Sequence, residues 1–126
     1  MCSSDLAFIH SEDIAAVATA ALTTREYDGE SLPITGPEAL TFAEATATIA
    51  SAIDRRLTFQ PISDDEARQR YSAMSGSIAD TEAHVSLWRA IREGRLAGVT
   101  DNVQRILGRK PISLEQWAIE NAAAFC

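Results

Sequence analysis

A chain of 126 residues, 46% hydrophobic and 23% charged, is sized for one domain with a modest core, and that composition excludes an intrinsically disordered chain. The net charge of -7, with 11 basic residues scattered among 18 acidic ones, excludes the clustered Lys and Arg footprint of a nucleic-acid partner. No apolar run nears the roughly 18 residues of a membrane span, so no membrane partner is expected.

Cys2 and Cys126 stand at the two ends without the internal spacing of a disulfide framework or a metal site. They read as free thiols in a reducing, cytoplasmic setting. Residues 1–6, Met-Cys-Ser-Ser-Asp-Leu, fit nothing that follows them and have neither the basic start nor the apolar centre of a signal peptide. A GTG start codon followed by TGC TCT TCC GAT CT would encode the same six residues, and it looks like the end of a sequencing-library adapter joined to a metagenomic gene fragment. The expectation is a non-native leader over 1–6 and a native segment over 7–126 whose N-terminal part has been cut away; the alternative is an unusual native N-terminus.

In chain order, Phe8-Ile9 is a short strand followed by His10-Ser11-Glu12-Asp13, after which Ile14, Val17, Ala18, Ala21 and Leu22 fall on one helical face. Ser11 is the expected N-cap, and Glu12 and Asp13 complement the positive end of the helix dipole. His10 beside two acids has the composition of a general base. No nucleophile stands near it, so a structural hydrogen bond at the strand end is the preferred reading. Tyr27-Asp28-Gly29-Glu30 is a turn by composition, and Ser31 to Thr35 is a second strand. Gly36-Pro37 then leads to Thr41 and Glu44, the spacing of a capping box, which opens a helix carrying Phe42, Ala45, Ile49 and Ile53 on one side.

Leu57 to Gln60 alternates apolar and polar residues before Pro61, the pattern of a third, edge strand. Ser63 with Glu66 repeats the capping spacing and starts a helix through Tyr71 and Met74 to Gly76. A further helix over 80–93 places Val85, Trp88 and Ile91 on one face, with His84 one residue off it. Thr100 is read as the cap of a short helix holding Val103, Ile106 and Leu107, closed by Gly108 and Pro111, and Ser113 with Gln116 as the cap of the last helix. The tally is about three short strands and about six helices. A lone strand cannot satisfy its own backbone groups, so part of a sheet is expected to be missing.

Four stretches carry a family resemblance: Phe8 to Ala15, Ile34 to Thr41, Thr100 to Pro111, and the closing Trp117 to Phe125. Together they resemble the C-terminal part of the NmrA-like NAD(P)-binding proteins, atypical members of the short-chain dehydrogenase/reductase superfamily. The resemblance implies a Rossmann-like α/β parent, with this chain as its mostly helical, α+β C-terminal part. It implies that the Phe8-Ile9 strand pairs with Leu57 to Gln60, that the Ile34 strand joins the main sheet, and that NAD(P) is bound by a missing N-terminal half of roughly 150 residues, the size of a dinucleotide-binding unit. Asp54 stands where the family often has Gly.

The six Gly residues form no dinucleotide-binding fingerprint after a strand, and Ile106 precedes the sole Lys110 where the superfamily's catalytic pair would need Tyr. No residue of this chain is therefore assigned to catalysis, cofactor binding or a metal. The first functional reading is the substrate-side part of an NAD(P)H-dependent oxidoreductase acting on a small carbonyl, quinone or aromatic molecule, with His10, Tyr71, Met74, His84 and Trp88 as candidate pocket residues. Two other readings stand beside it: a non-catalytic NAD(P)-sensing regulatory protein of the same family, and a stand-alone helical interaction domain.

Overall fold

Capped helices dominate the computed structural model, which describes residues 5–125. Among these residues lie β1 (Asp5–Leu6), α1 (Ser11–Thr23), β2 (Leu40–Thr41), α2 (Phe42–Ala52), α3 (Asp64–Ser75), α4 (Ile78–Arg92), α5 (Asn102–Leu107) and α6 (Leu114–Glu120), with a closing 3-10 turn at Ala122–Phe125. None of these helices is long and apolar enough to cross a membrane. The free-thiol reading of Cys2 and Cys126, and residues 1–4 of the expected leader, lie outside the described residues.

Local chemistry explains the helix starts. Thr41 Oγ1 accepts from the Glu44 N–H at 3.1 Å while the Glu44 carboxylate accepts from the Thr41 N–H at 2.8 Å, a complete capping box. The Thr41 N–H, followed by its hydroxyl, holds the Glu44 carboxyl below its ordinary range. Ser63 and Ser113 accept from the N–H groups of Glu66 and Gln116, as the spacing predicts. Three starts differ. His10 rather than Ser11 caps α1, its Nδ1 accepting from the Glu12 N–H at 3.0 Å. Ser77 caps α4 through the Asp80 N–H, so that helix begins two residues before Asp80. Thr100 does not cap α5, because its hydroxyl donates to the Pro33 carbonyl at 2.7 Å.

Several Thr hydroxyls fold back onto their own helices. Thr19 donates to the Ala15 carbonyl, Thr23 to that of Thr19, Thr46 to that of Phe42 and Thr48 to that of Glu44, at 2.7 to 3.0 Å.

The strands differ most from expectation. β1 and β2 form one antiparallel pair, Asp5 opposite Thr41 and Leu6 opposite Leu40. Phe8-Ile9, Ser31 to Thr35 and Leu57 to Gln60 are extended or irregular and carry no ladder. A strand exists only where a second backbone edge meets it, and within the described residues these segments meet side chains instead. Phe8 and Phe59 both pack on Phe42, edge-on at 6.0 Å and stacked at 6.1 Å between ring centroids. Segment 31–36 is stitched to residues 100–102: the Thr100 N–H donates to Thr35 Oγ1 at 3.0 Å, and Asn102 Nδ2 donates to the Pro33 carbonyl at 2.7 Å. Gly36 runs so close to Phe8 that an added Cβ would be driven into the Phe8 carbonyl, which accounts for glycine there.

The helices pack in three pairs, α1 with α5, α2 with α6 and α3 with α4. The buried apolar side chains are small, among them Val17, Ala45, Ala67, Val85, Val103 and Ala118. Leu22, Met74 and Ile78 remain more than four-fifths exposed.

Asp13 is completely buried. Its Oδ2 accepts from the Ile112 N–H at 2.7 Å, and its Oδ1 lies 2.7 Å from Arg109 Nη1 as an ion pair without hydrogen-bond alignment. The carboxylate read from sequence as a helix-dipole partner thus also ties α1 to the loop before α6.

At the end of α2 the Arg55 N–H bonds the Ala50 carbonyl and the Asp54 N–H bonds that of Ser51, a Schellman closure with Asp54 at φ 51. The end of α4 repeats it, with Arg95 to Ala90, Gly94 to Ile91, and Gly94 at φ 73.

Asp13→Ala is expected to lower unfolding stability by about 3 kcal/mol, since it leaves the part-buried Ile112 N–H without its acceptor, removes the partner of Arg109 and empties a fully buried position. Asp13→Asn keeps an acceptor for Ile112 and is expected to cost roughly half as much; urea midpoints decide between them. Asp54→Gly relieves a left-handed residue and is expected to raise stability by about 0.5 kcal/mol in the same measurement.

Candidate substrate pocket

The pocket is built on the α3–α4 hairpin. Gly76, left-handed at φ 65, ends α3, and Ser77 immediately caps α4, so the two helices return side by side. Ion pairs fix their register. Arg68 bonds Glu82, and Asp64 accepts from Arg89 Nε and Nη2 on one oxygen and from Arg92 Nη2 on the other, at 2.7 to 3.1 Å. The Arg89 hydrogen bonds, then that of Arg92, hold the Asp64 carboxyl down at about 2, against an ordinary 3.8.

Between this hairpin, the start of α2 and segment 59–63 lies a cavity of about 570 Å³. Phe42, Phe59, Ala67, Tyr71, Met74 and Trp88 supply its apolar walls, and Asp64, Arg70 and Arg92 bring charge to it. The aromatic walls brace one another: Tyr71 meets Trp88 edge-on at 5.7 Å and lies on the His84 ring at 4.3 Å. His84 Nδ1 is 2.8 Å from the Asp80 carbonyl, which can only accept, so that nitrogen carries the proton. In the neutral ring Nε2 then accepts from the Tyr71 hydroxyl at 3.1 Å.

Of the five residues named from sequence, Tyr71, Met74 and Trp88 line this cavity and His84 stands behind Tyr71. His10 is not among the lining residues; its Nδ1 is occupied in capping α1 and its buried Nε2 has no hydrogen-bond partner. Phe42, Phe59, Arg70 and Arg92 also line the cavity and were missed, since periodicity assigns them only to helix faces or a strand. A second hollow of about 620 Å³ between α2 and α6 has no aromatic wall and is bordered by Glu38 and Glu115.

The N-termini of α1, α2, α3, α4 and α6 are occupied by the side chains of His10, Thr41, Ser63, Ser77 and Ser113, and Gly36, Gly76 and Gly108 serve a close approach and two helix ends. No backbone cradle for a pyrophosphate is left among them.

No model of a known protein family matches the chain. Among individual proteins it is similar to an NAD(P)H azoreductase of Xenophilus azovorans, 33% identical over 120 residues, covering 95% of this chain and 42% of the relative. It is also similar to a (4-alkanoyl-5-oxo-2,5-dihydrofuran-3-yl)methyl phosphate reductase of Streptomyces griseus, 34% identical over 122 residues with the same coverage. Among solved structures it superimposes on the Citrobacter sp. triphenylmethane reductase complexed with NADP(H), with a TM-score of 0.79, 18% identity, and coverage of 95% of this chain and 42% of that one. The chain thus spans less than half the length of these relatives.

The helical lobe and the relatives together define the C-terminal part of a Rossmann-type, reductase-family protein. These likenesses support the resemblance to the C-terminal portion of the NmrA-like NAD(P)-binding proteins.

Because Asp64 is depressed in the folded state, its contribution to stability is fully present above about pH 4 and is lost as pH falls toward about 2. Its Arg partners are about half exposed, so added salt weakens the effect. Thermal unfolding followed from pH 5 to 2 is expected to fall less steeply in Asp64→Asn than in the unaltered chain.

Proposed function

We propose that residues 7–126 form the substrate-side wall of a cytoplasmic NAD(P)H-dependent oxidoreductase acting on a small carbonyl, quinone or other aromatic molecule. The aromatic-walled cavity on the α3–α4 hairpin carries this reading. It has the size and lining of a small-molecule site: flat apolar surfaces with a few polar groups that fix orientation. The azoreductase and furanone phosphate reductase among the relatives support reduction as the reaction class.

In this reading the dinucleotide is held by an N-terminal Rossmann half acting as intramolecular partner, and it supplies the hydride when bound. The residues of this chain position the substrate and exclude water from it. Tyr71, Trp88 and the Phe42–Phe59 stack offer ring faces to a planar substrate. His84 fixes the Tyr71 ring from behind.

The test is the complete protein encoded by an untruncated gene. It is expected to oxidise NAD(P)H only when a quinone, carbonyl or azo compound is added. Trp88→Ala is expected to raise the KM for that compound about tenfold and to leave dinucleotide affinity unchanged, in steady-state kinetics with a separate dinucleotide titration. Dinucleotide binding with no turnover across such a panel would overturn the enzyme reading in favour of a sensor.

A further inference from the structure

The cavity is apolar inside and positive at its edge, although the chain as a whole carries a net charge of -7. Arg70 and Arg92 both line it and both side chains are more than half exposed, so the cavity carries solvent-accessible positive charge. Among the charged residues that line the cavity, two guanidiniums, Arg70 and Arg92, stand with one carboxylate, Asp64. One positive charge is left over.

The hydrogen bonds show where it is available. Arg89 is spent on Asp64 through two nitrogens, whereas Arg92 reaches Asp64 through Nη2 alone. Arg70 makes one bond, Nη2 to Glu66, in a surface pair that an incoming anion can compete with. The second hollow is bordered instead by Glu38 and Glu115, so of these two hollows the aromatic one has the positive edge. A charge of one sign beside low-dielectric walls concentrates ligands of the opposite sign.

We propose, resting on the substrate-pocket reading, that this cavity selects planar aromatic molecules carrying one anionic group such as a carboxylate or sulfonate. The rings lie among Phe42, Phe59, Tyr71 and Trp88, and the anion sits at Arg70 and Arg92. Arginine suits this role because its planar fork gives paired, charge-assisted bonds to a carboxylate.

Calorimetric titration of the complete protein encoded by an untruncated gene with 2-naphthoate, 2-naphthamide and 2-naphthylmethylammonium at low ionic strength separates charge from shape. The proposal expects the anion to bind about tenfold more tightly than the amide, and the cation most weakly. Arg70→Gln and Arg92→Gln are each expected to weaken naphthoate about three- to tenfold with naphthamide unchanged. Arg25→Gln, the same change in net charge outside the cavity, is expected to change neither. Arg70 holds only a surface pair, so its variant reports binding even if Arg92→Gln disturbs the hairpin. Equal affinity for anion and amide, or an equal loss in Arg25→Gln, overturns the charge selection and leaves the pocket reading standing. Failure of all three probes to bind overturns both.

Discussion

The fold depends on a carboxylate with no access to water. Asp13 joins the first turn of α1 to the backbone of Ile112, 99 residues further on, and draws Arg109 in beside it. A buried charge is costly unless it is both paired and hydrogen-bonded, so the loop over 109–112 is held wherever Asp13 requires it. The start of α6 follows directly from that loop. The Thr35, Thr100 and Asn102 bonds to the neighbouring backbone hold segment 31–36 against the start of α5 in the same way, with polar atoms in place of a large apolar core.

The hairpin is organised by exposed ionic pairs, and here their value lies in register rather than in energy. Each is worth little alone. Asp64 is the exception in geometry, since it accepts from two guanidiniums at once and links the first turn of α3 to the last turn of α4. That link sets Tyr71 opposite His84 and beside Trp88, and the cavity wall follows from the alignment. The residues that fix the hairpin and those that give the cavity its charge are therefore partly the same.

Part of what is encoded within one helical turn was legible in the sequence. The Thr41–Glu44, Ser63–Glu66 and Ser113–Gln116 spacings marked three helix starts, because capping depends on residues three apart. The left-handed positions at Gly76 and Gly108 were equally local. Asp54 shares that conformation, and its place after α2 was marked by the family resemblance rather than by its own residue type. The strands were not legible, since a ladder belongs to two segments and the partner edge leaves no local mark. The same limit hid half of the cavity wall. Tyr71, Met74 and Trp88 could be named from helix faces, but only the folded chain brings Phe42, Phe59 and Arg92 to them. His10 illustrates the opposite error: a residue type associated with chemistry, occupied in capping a helix.

The Thr residues of α1 and α2 alter what those helix surfaces are to their surroundings. A hydroxyl that donates to its own helix no longer needs water as an acceptor, and what Thr19, Thr23 and Thr48 turn outward is in part a methyl group. Interleaved with alanines, these positions make flanks that count as polar in a composition tally yet bind solvent weakly. Little hydration would have to be stripped from them for another surface to lie close, and the shortness of the side chains would let two backbones approach.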